Sequence, residues 1–265
     1  MEPLVLLTVA AAAFAVALLT LFSGFGVGTL LMPVFALFLP APVAVAATAV
    51  VHLLNNLFKC ALLGRRADRS VVLRFGLPAV LAAFPGALLL ARLAELPALR
   101  AWHVTGREIE ITPLKLVMGV LILIFGIVDG AEFLKRSRTG GRWLAAGGAL
   151  SGFLGGLSGH QGALRAVFLT PLGLPPPAFA ATQAVIASMV DVSRLIVYGA
   201  VAWAGHAGLL GAGGLWPLVL AATAAAFLGS WQGGRLLGKV TRRSVRRVTS
   251  TLLVVIGLLM ISGLV

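Results

Sequence analysis

Apolar residues recur along this chain in blocks of roughly 20, the length a helix needs to cross the ~30 Å hydrocarbon core of a bilayer. Blocks near 43–63, 71–91, 113–133, 176–199, 208–231 and 248–264 each predict one membrane helix. Two further apolar stretches, 4–39 and 143–173, are too long for one ordinary helix. Glycines interrupt both, at "SGFGVG" and at "GLSGHQG". These two stretches are predicted to be broken helices that turn back inside the membrane.

Composition agrees with the pattern: 60% of residues are hydrophobic and 11% charged, against about a quarter charged in soluble domains. The apolar N-terminal run lacks a positive leader and is too long for a signal peptide, so it reads as a retained membrane segment. The one cysteine, Cys60, has no partner for an internal disulfide or a cysteine metal cluster. No cofactor or metal is expected.

The net charge of +13 is concentrated in three short gaps, "GRRADRS", "KRSRTGGR" and "RLLGKVTRRSVRR". That placement marks the cytoplasmic face of a multi-pass inner-membrane protein and argues against nucleic-acid binding. If the three gaps share one face, 143–173 must enter and leave on the same side. So must 4–39, if the acidic N-terminus is outside. Both termini are then outside. "AATAV" (Ala46–Val50) aligns with "AATQAV" (Ala180–Val185), and at the same offset Gly28 aligns with Gly162. The expected fold is an all-α polytopic membrane protein of two inverted-topology repeats, 1–134 and 143–265, joined by a basic cytoplasmic linker, 135–142. Each repeat is a glycine-broken, re-entrant hairpin followed by three transmembrane helices, an arrangement used by alternating-access carriers.

The polar residues inside the apolar blocks carry the candidate chemistry. A helix restarting near Gly162 would aim free N–H groups and its positive dipole end at the break. Ser158, Gly159, His160, Gln161 and Gly162, with Gly28 from the first knot, would frame a site for a small anion. Arg165 and Arg194 would supply positive charge. In the helix after the first knot, Thr48, His52, Asn55 and Lys59 recur on one face, with Asn56 at its flank. Lys59 itself reads as a snorkelling residue near a helix end. After the second knot, Gln183, Asp191, Arg194 and Tyr198 repeat the stripe. Two such stripes facing each other would line a path, and His52 and Asp191 are candidates for proton coupling. The alternative for Asp191 and Arg194 is a local i, i+3 ion pair that only holds helices together.

The two segments "SGFGVGTLLMPVFALFLPAPVAVAATAV" and "GFLGGLSGHQGALRAVFLTPLGLPPPAFAATQAV" together resemble the sulfite exporter TauE/SafE family of membrane permeases. The resemblance covers essentially the whole chain. It implies export or uptake of a small anion such as sulfite, a sulfonate or sulfoacetate. The chain departs from the family pattern at "GHQG", where glycines are common, and in carrying Pro171 later than usual. Two other readings stay open: a passive anion channel, and an intramembrane serine hydrolase using Ser158 of "GLSG" with a histidine partner such as His206. The expected partners are the lipid bilayer, a small anionic substrate and protons as coupling ion, with the chain as a monomer or homodimer.

Overall fold

The computed structural model describes residues 2–23, 27–104, 107–130, 141–204, 215–236 and 242–264. The glycines at 24 and 26, most of the expected linker (135–140), His206 and Lys239 lie outside the described residues. In chain order the helices are α1 (Pro3–Ser23), α2 (Val27–Ala36), α3 (Ala41–Leu63), α4 (Arg69–Glu95) and α5 (Pro113–Gly130). They continue as α6 (Leu144–Ser158), α7 (Gln161–Leu169), α8 (Pro176–Trp203), α9 (Leu215–Leu236) and α10 (Arg242–Ile261). Each of the six blocks read as single spans overlaps one helix over its described residues; 131–133 and 208–214 lie outside them. The chain is a membrane-spanning helical bundle. Four helices, or the greater part of them, are long and apolar enough to cross a bilayer: Ala41–Arg66, Arg69–Glu95, Pro176–Trp203 and Leu215–Gly233.

The second interrupted stretch is broken at its glycines; the expected break of the first falls at 24–26, outside the described residues, between α1 and α2. α6 has 15 residues and α7 has 9, so at about 1.5 Å per residue neither reaches across ~30 Å of hydrocarbon. Gly159 ends α6 in the left-handed conformation, φ 78°, which glycine adopts without the Cβ penalty. α2, with 10 residues, is similarly short and carries Pro33 within it. The prolines after each break act as N-terminal starters: Pro40 precedes α3 with φ −52° and ψ 142°, and Pro175 precedes α8 with φ −53° and ψ 144°.

The helices pair in a regular way. α4 packs on α6 and α9 on α1; α5 packs on α10 and α3 on α8. The α4–α6 seam is backbone against backbone. A Cβ on Gly148, Gly152 or Gly156 would lie 2.2, 2.0 or 2.1 Å from the carbonyl oxygens of Phe75, Ala79 and Ala83. Gly86 of α4 answers with the same closeness to Phe153. Small residues at four-residue spacing bring helices together in lipid, where apolar burial alone gives no preference for a partner helix.

One region was not foreseen. Between α4 and α5 the chain forms an antiparallel hairpin, β1 (Arg100–Val104) with β2 (Arg107–Ile111), in register Arg100↔Ile111. The expected all-α fold therefore holds for the helical bundle and not for this charged connection. The alternating "REIEI" of β2 is the period-2 signal that marks it.

Candidate functional site

α3 and α8 cross at the centre of the bundle, and their polar faces meet there. Nδ1 of His52 lies 2.6 Å from Oδ2 of Asp191. The other carboxylate oxygen accepts from Nε of Arg194 at 3.0 Å and from Nε2 of Gln161 at 3.2 Å. Nη2 of Arg194 lies 2.8 Å from the same oxygen, an ion-pair contact outside hydrogen-bond geometry. Asp191 and Arg194 are both fully buried. A buried carboxylate is tolerable when several donors surround it, and Asp191 has that surrounding.

Arg165 is held differently. It sits one turn into α7 and is buried, yet no carboxylate comes within ion-pair distance of it among the described residues. Its Nε donates to Oε1 of Gln183, and its Nη1 donates to Oε1 of Gln161 at 2.9 Å. Two amide oxygens thus orient the guanidinium without neutralising it. The remaining amide donor of Gln183, Nε2, is buried with no partner among the described residues.

The helix break completes this region. The carbonyl of Gln161 accepts from Oγ of Ser151 at 3.0 Å, which stitches α7 back onto α6. His160 is buried between the two helices, with its ring stacked on Phe125 at 5.8 Å between centroids. Neither of its ring nitrogens makes a hydrogen bond of normal geometry among the described residues. Gly159 faces Arg194: a Cβ there would lie 2.7 Å from Nη1. Gly28, in the first turn of α2, faces the Gly159 carbonyl, 2.9 Å from where its own Cβ would stand. Gly162 lies half-buried in the first turn of α7. Tyr198 donates to the Gly156 carbonyl at 2.6 Å.

The remaining expected residues are less engaged. Ser158 bonds its own helix at the Leu154 carbonyl, 2.9 Å, and Thr48 bonds Ala44 at 2.7 Å. Asn56 donates to the His52 carbonyl at 2.9 Å and lies against the imidazole. Asn55 turns toward α9, where it accepts from Ser230 at 2.8 Å. The structure adds Ser151 and Phe125, which the sequence alone does not mark. Ser151 sits among helix glycines as an ordinary small residue, and Phe125 sits in an apolar run.

The arrangement places a buried guanidinium at a helix start, next to a paired carboxylate and imidazole. The family model for sulfite exporter TauE/SafE matches residues 9–260. This chain belongs to the sulfite exporter TauE/SafE family. No curated protein and no solved structure matches it significantly. This TauE/SafE chain is a membrane-embedded transporter of a small anion. Family members are permeases without catalytic chemistry, which sets aside the serine-hydrolase reading of "GLSG". No group of three or more potential metal ligands occurs among the described residues.

Proposed function

We propose that this chain carries a small sulfur- or carbon-containing oxyanion across the inner membrane by alternating access, with Arg165 as its principal ligand. The observation that carries this reading is the buried guanidinium of Arg165, oriented by two amide oxygens and neutralised by no close carboxylate. Gln183 Nε2 and the His160 ring point to the same need for an acceptor. The α7 start adds the N–H groups of Gln161 and Gly162 and the dipole end. Arg194 already engages Asp191, so in this reading it holds the site together.

The repeats belong to the same proposal. α2 begins at Val27 and α7 at Gln161, α3 at Ala41 and α8 at Pro176, the same spacing to within one residue. The pairings α4 with α6 and α9 with α1 exchange partners under that correspondence. Both features support two repeats, 1–134 and 143–265, of opposite orientation, with the basic gaps on the cytoplasmic side and both termini outside. His52 and Asp191, in contact at 2.6 Å, are the candidates for proton coupling in this reading.

Purified protein titrated with sulfite, sulfoacetate and chloride should show a melting temperature that rises with one of the oxyanions, by mass action. Arg165→Ala should abolish that rise while the protein stays folded. An undiminished rise in Arg165→Ala would sink the proposal.

A further inference from the structure

Gln161 opens α7, and its buried side chain touches both halves of the central cluster. Its Nε2 donates to Oδ1 of Asp191 at 3.2 Å, and its Oε1 accepts from Nη1 of Arg165 at 2.9 Å. The partners dictate how the amide is turned, because a guanidinium cannot accept and an ionised carboxylate cannot donate. The backbone is pinned as well, by Oγ of Ser151 donating to the Gln161 carbonyl at 3.0 Å. Gly155 of α6 leaves the room in which this side chain lies. A Cβ on Gly155 would stand 3.0 Å from Cβ of Gln161 and 3.4 Å from its Cδ.

Asp191 and Arg165 form no ion pair with each other. Asp191 bonds His52, Arg194 and Gln161, whereas Arg165 bonds Gln183 and Gln161. Among the described residues, Gln161 is the one side chain hydrogen-bonded to both. A continuous chain of contacts thus runs from imidazole to carboxylate to amide to guanidinium. The charged and titratable groups facing Asp191 are His52 from α3, Arg194 from α8 and, farther off, Arg165 from α7. Lys59 of α3, Tyr198 of α8 and His160 at the helix break face His52 or Arg194. α2 and α6 carry no titratable side chain, and α4 carries its charges toward its ends.

We propose that Gln161 is the positioning residue that couples the anion to a proton, linking the His52–Asp191 pair to Arg165. The inference rests on the reading of Arg165 as anion ligand given above. With the pair unprotonated, Asp191 holds the amide donor, and the amide oxygen in turn occupies Nη1 of Arg165. A proton bound by the pair makes it neutral rather than negative, which weakens its pull on Nε2 of Gln161. The amide is then free to turn away, and Nη1 of Arg165 passes to the anion. The reverse follows by linkage: an anion that draws Nη1 off the amide favours proton uptake by the pair. Proton and anion therefore bind together and travel in the same direction.

The test measures the affinity of the full chain for sulfoacetate and sulfate, probes that stay fully ionised between about pH 6 and pH 8. Wild-type affinity should fall several-fold as the pH rises across that window, by at most about tenfold per pH unit for one linked proton. Gln161→Met keeps the length of the side chain and removes both bonds. It should bind more weakly, and its affinity should change less than about twofold over the same window. Gln183→Met removes the other oxygen that holds Arg165 but touches no member of the pair, so it should weaken binding and keep the wild-type pH dependence. If Gln161→Met does not fold, Gln161→Glu takes its place, since it keeps an acceptor for Arg165 and loses the donor for Asp191. A pH dependence in the Gln161 variant as steep as in wild type would overturn the inference, as would equal flattening in Gln183→Met or a wild type indifferent to pH. Arg165→Ala separates this claim from the one beneath it. If Arg165→Ala binds like wild type, or wild type binds neither probe, the Arg165 reading fails and this inference with it. If Arg165→Ala fails to bind while Gln161→Met keeps its pH dependence, only the coupling role of Gln161 is wrong.

Discussion

Asp191 is heavily engaged, with His52 on one oxygen and Arg194 and Gln161 on the other. Removing one member of a buried charged pair costs about 3–5 kcal/mol, because the survivor is stranded. Asp191→Asn should therefore lower the melting temperature clearly. The double variant Asp191→Asn with Arg194→Gln should recover part of the loss, since no charge is then stranded. Equal melting temperatures for single and double variants would show that the pair is not coupled. Gly159→Ala meets two obstacles, the left-handed backbone and the Arg194 guanidinium. About 1–2 kcal/mol of destabilisation is expected from the backbone alone, with weaker anion binding as Arg194 is pushed aside. At this scale the sequence was informative where charge was rare: Arg165, Asp191 and Arg194 stand out in an apolar block. It could not reveal that Asn55 faces α9, because a helical stripe is wider than one contact.

The helices were legible because each is a single run of one polarity. The break at Gly159 was legible because its apolar run is too long for one helix and carries polar residues among its glycines. The hairpin β1–β2 was missed because its alternation is short and sits among charges, where an unstructured connection is an equally good reading. The α4–α6 seam was equally hidden, since four-residue glycine spacing does not name a partner. That seam makes a sharp prediction. Gly152→Ala places a methyl 2.0 Å from the Ala79 carbonyl, while Gly199, near the C-terminal end of α8, has nothing within 4 Å. Gly199→Ala should be neutral or stabilising, by up to about 1 kcal/mol of helix propensity. Gly152→Ala should force the helices apart and lower the melting temperature by several degrees at least. Similar effects of the two would mean that the seam is looser than described.

Over the whole molecule, the open question is whether the anion moves through a fixed pore or with a change of shape. Cys60 is the one thiol in the chain and is half-buried on the α3–α8 seam. In an alternating-access carrier, anion binding shifts the population of states, so the maleimide labelling rate of Cys60 should change when sulfoacetate is added. A constant rate, with binding demonstrated in the same sample, would favour a channel.

The Asp191–Arg194 pair also bears on how the chain reaches the membrane at all. A lone charge at the centre of a helix opposes its release from the translocon into lipid, by about 3 kcal/mol. In α8 the two charges stand three residues apart on one helix and touch. The segment can enter the bilayer already neutralised, before any other helix is there to receive it. Reversing either charge alone should then reduce the yield of inserted protein during synthesis, a defect that appears before folding or transport is measured.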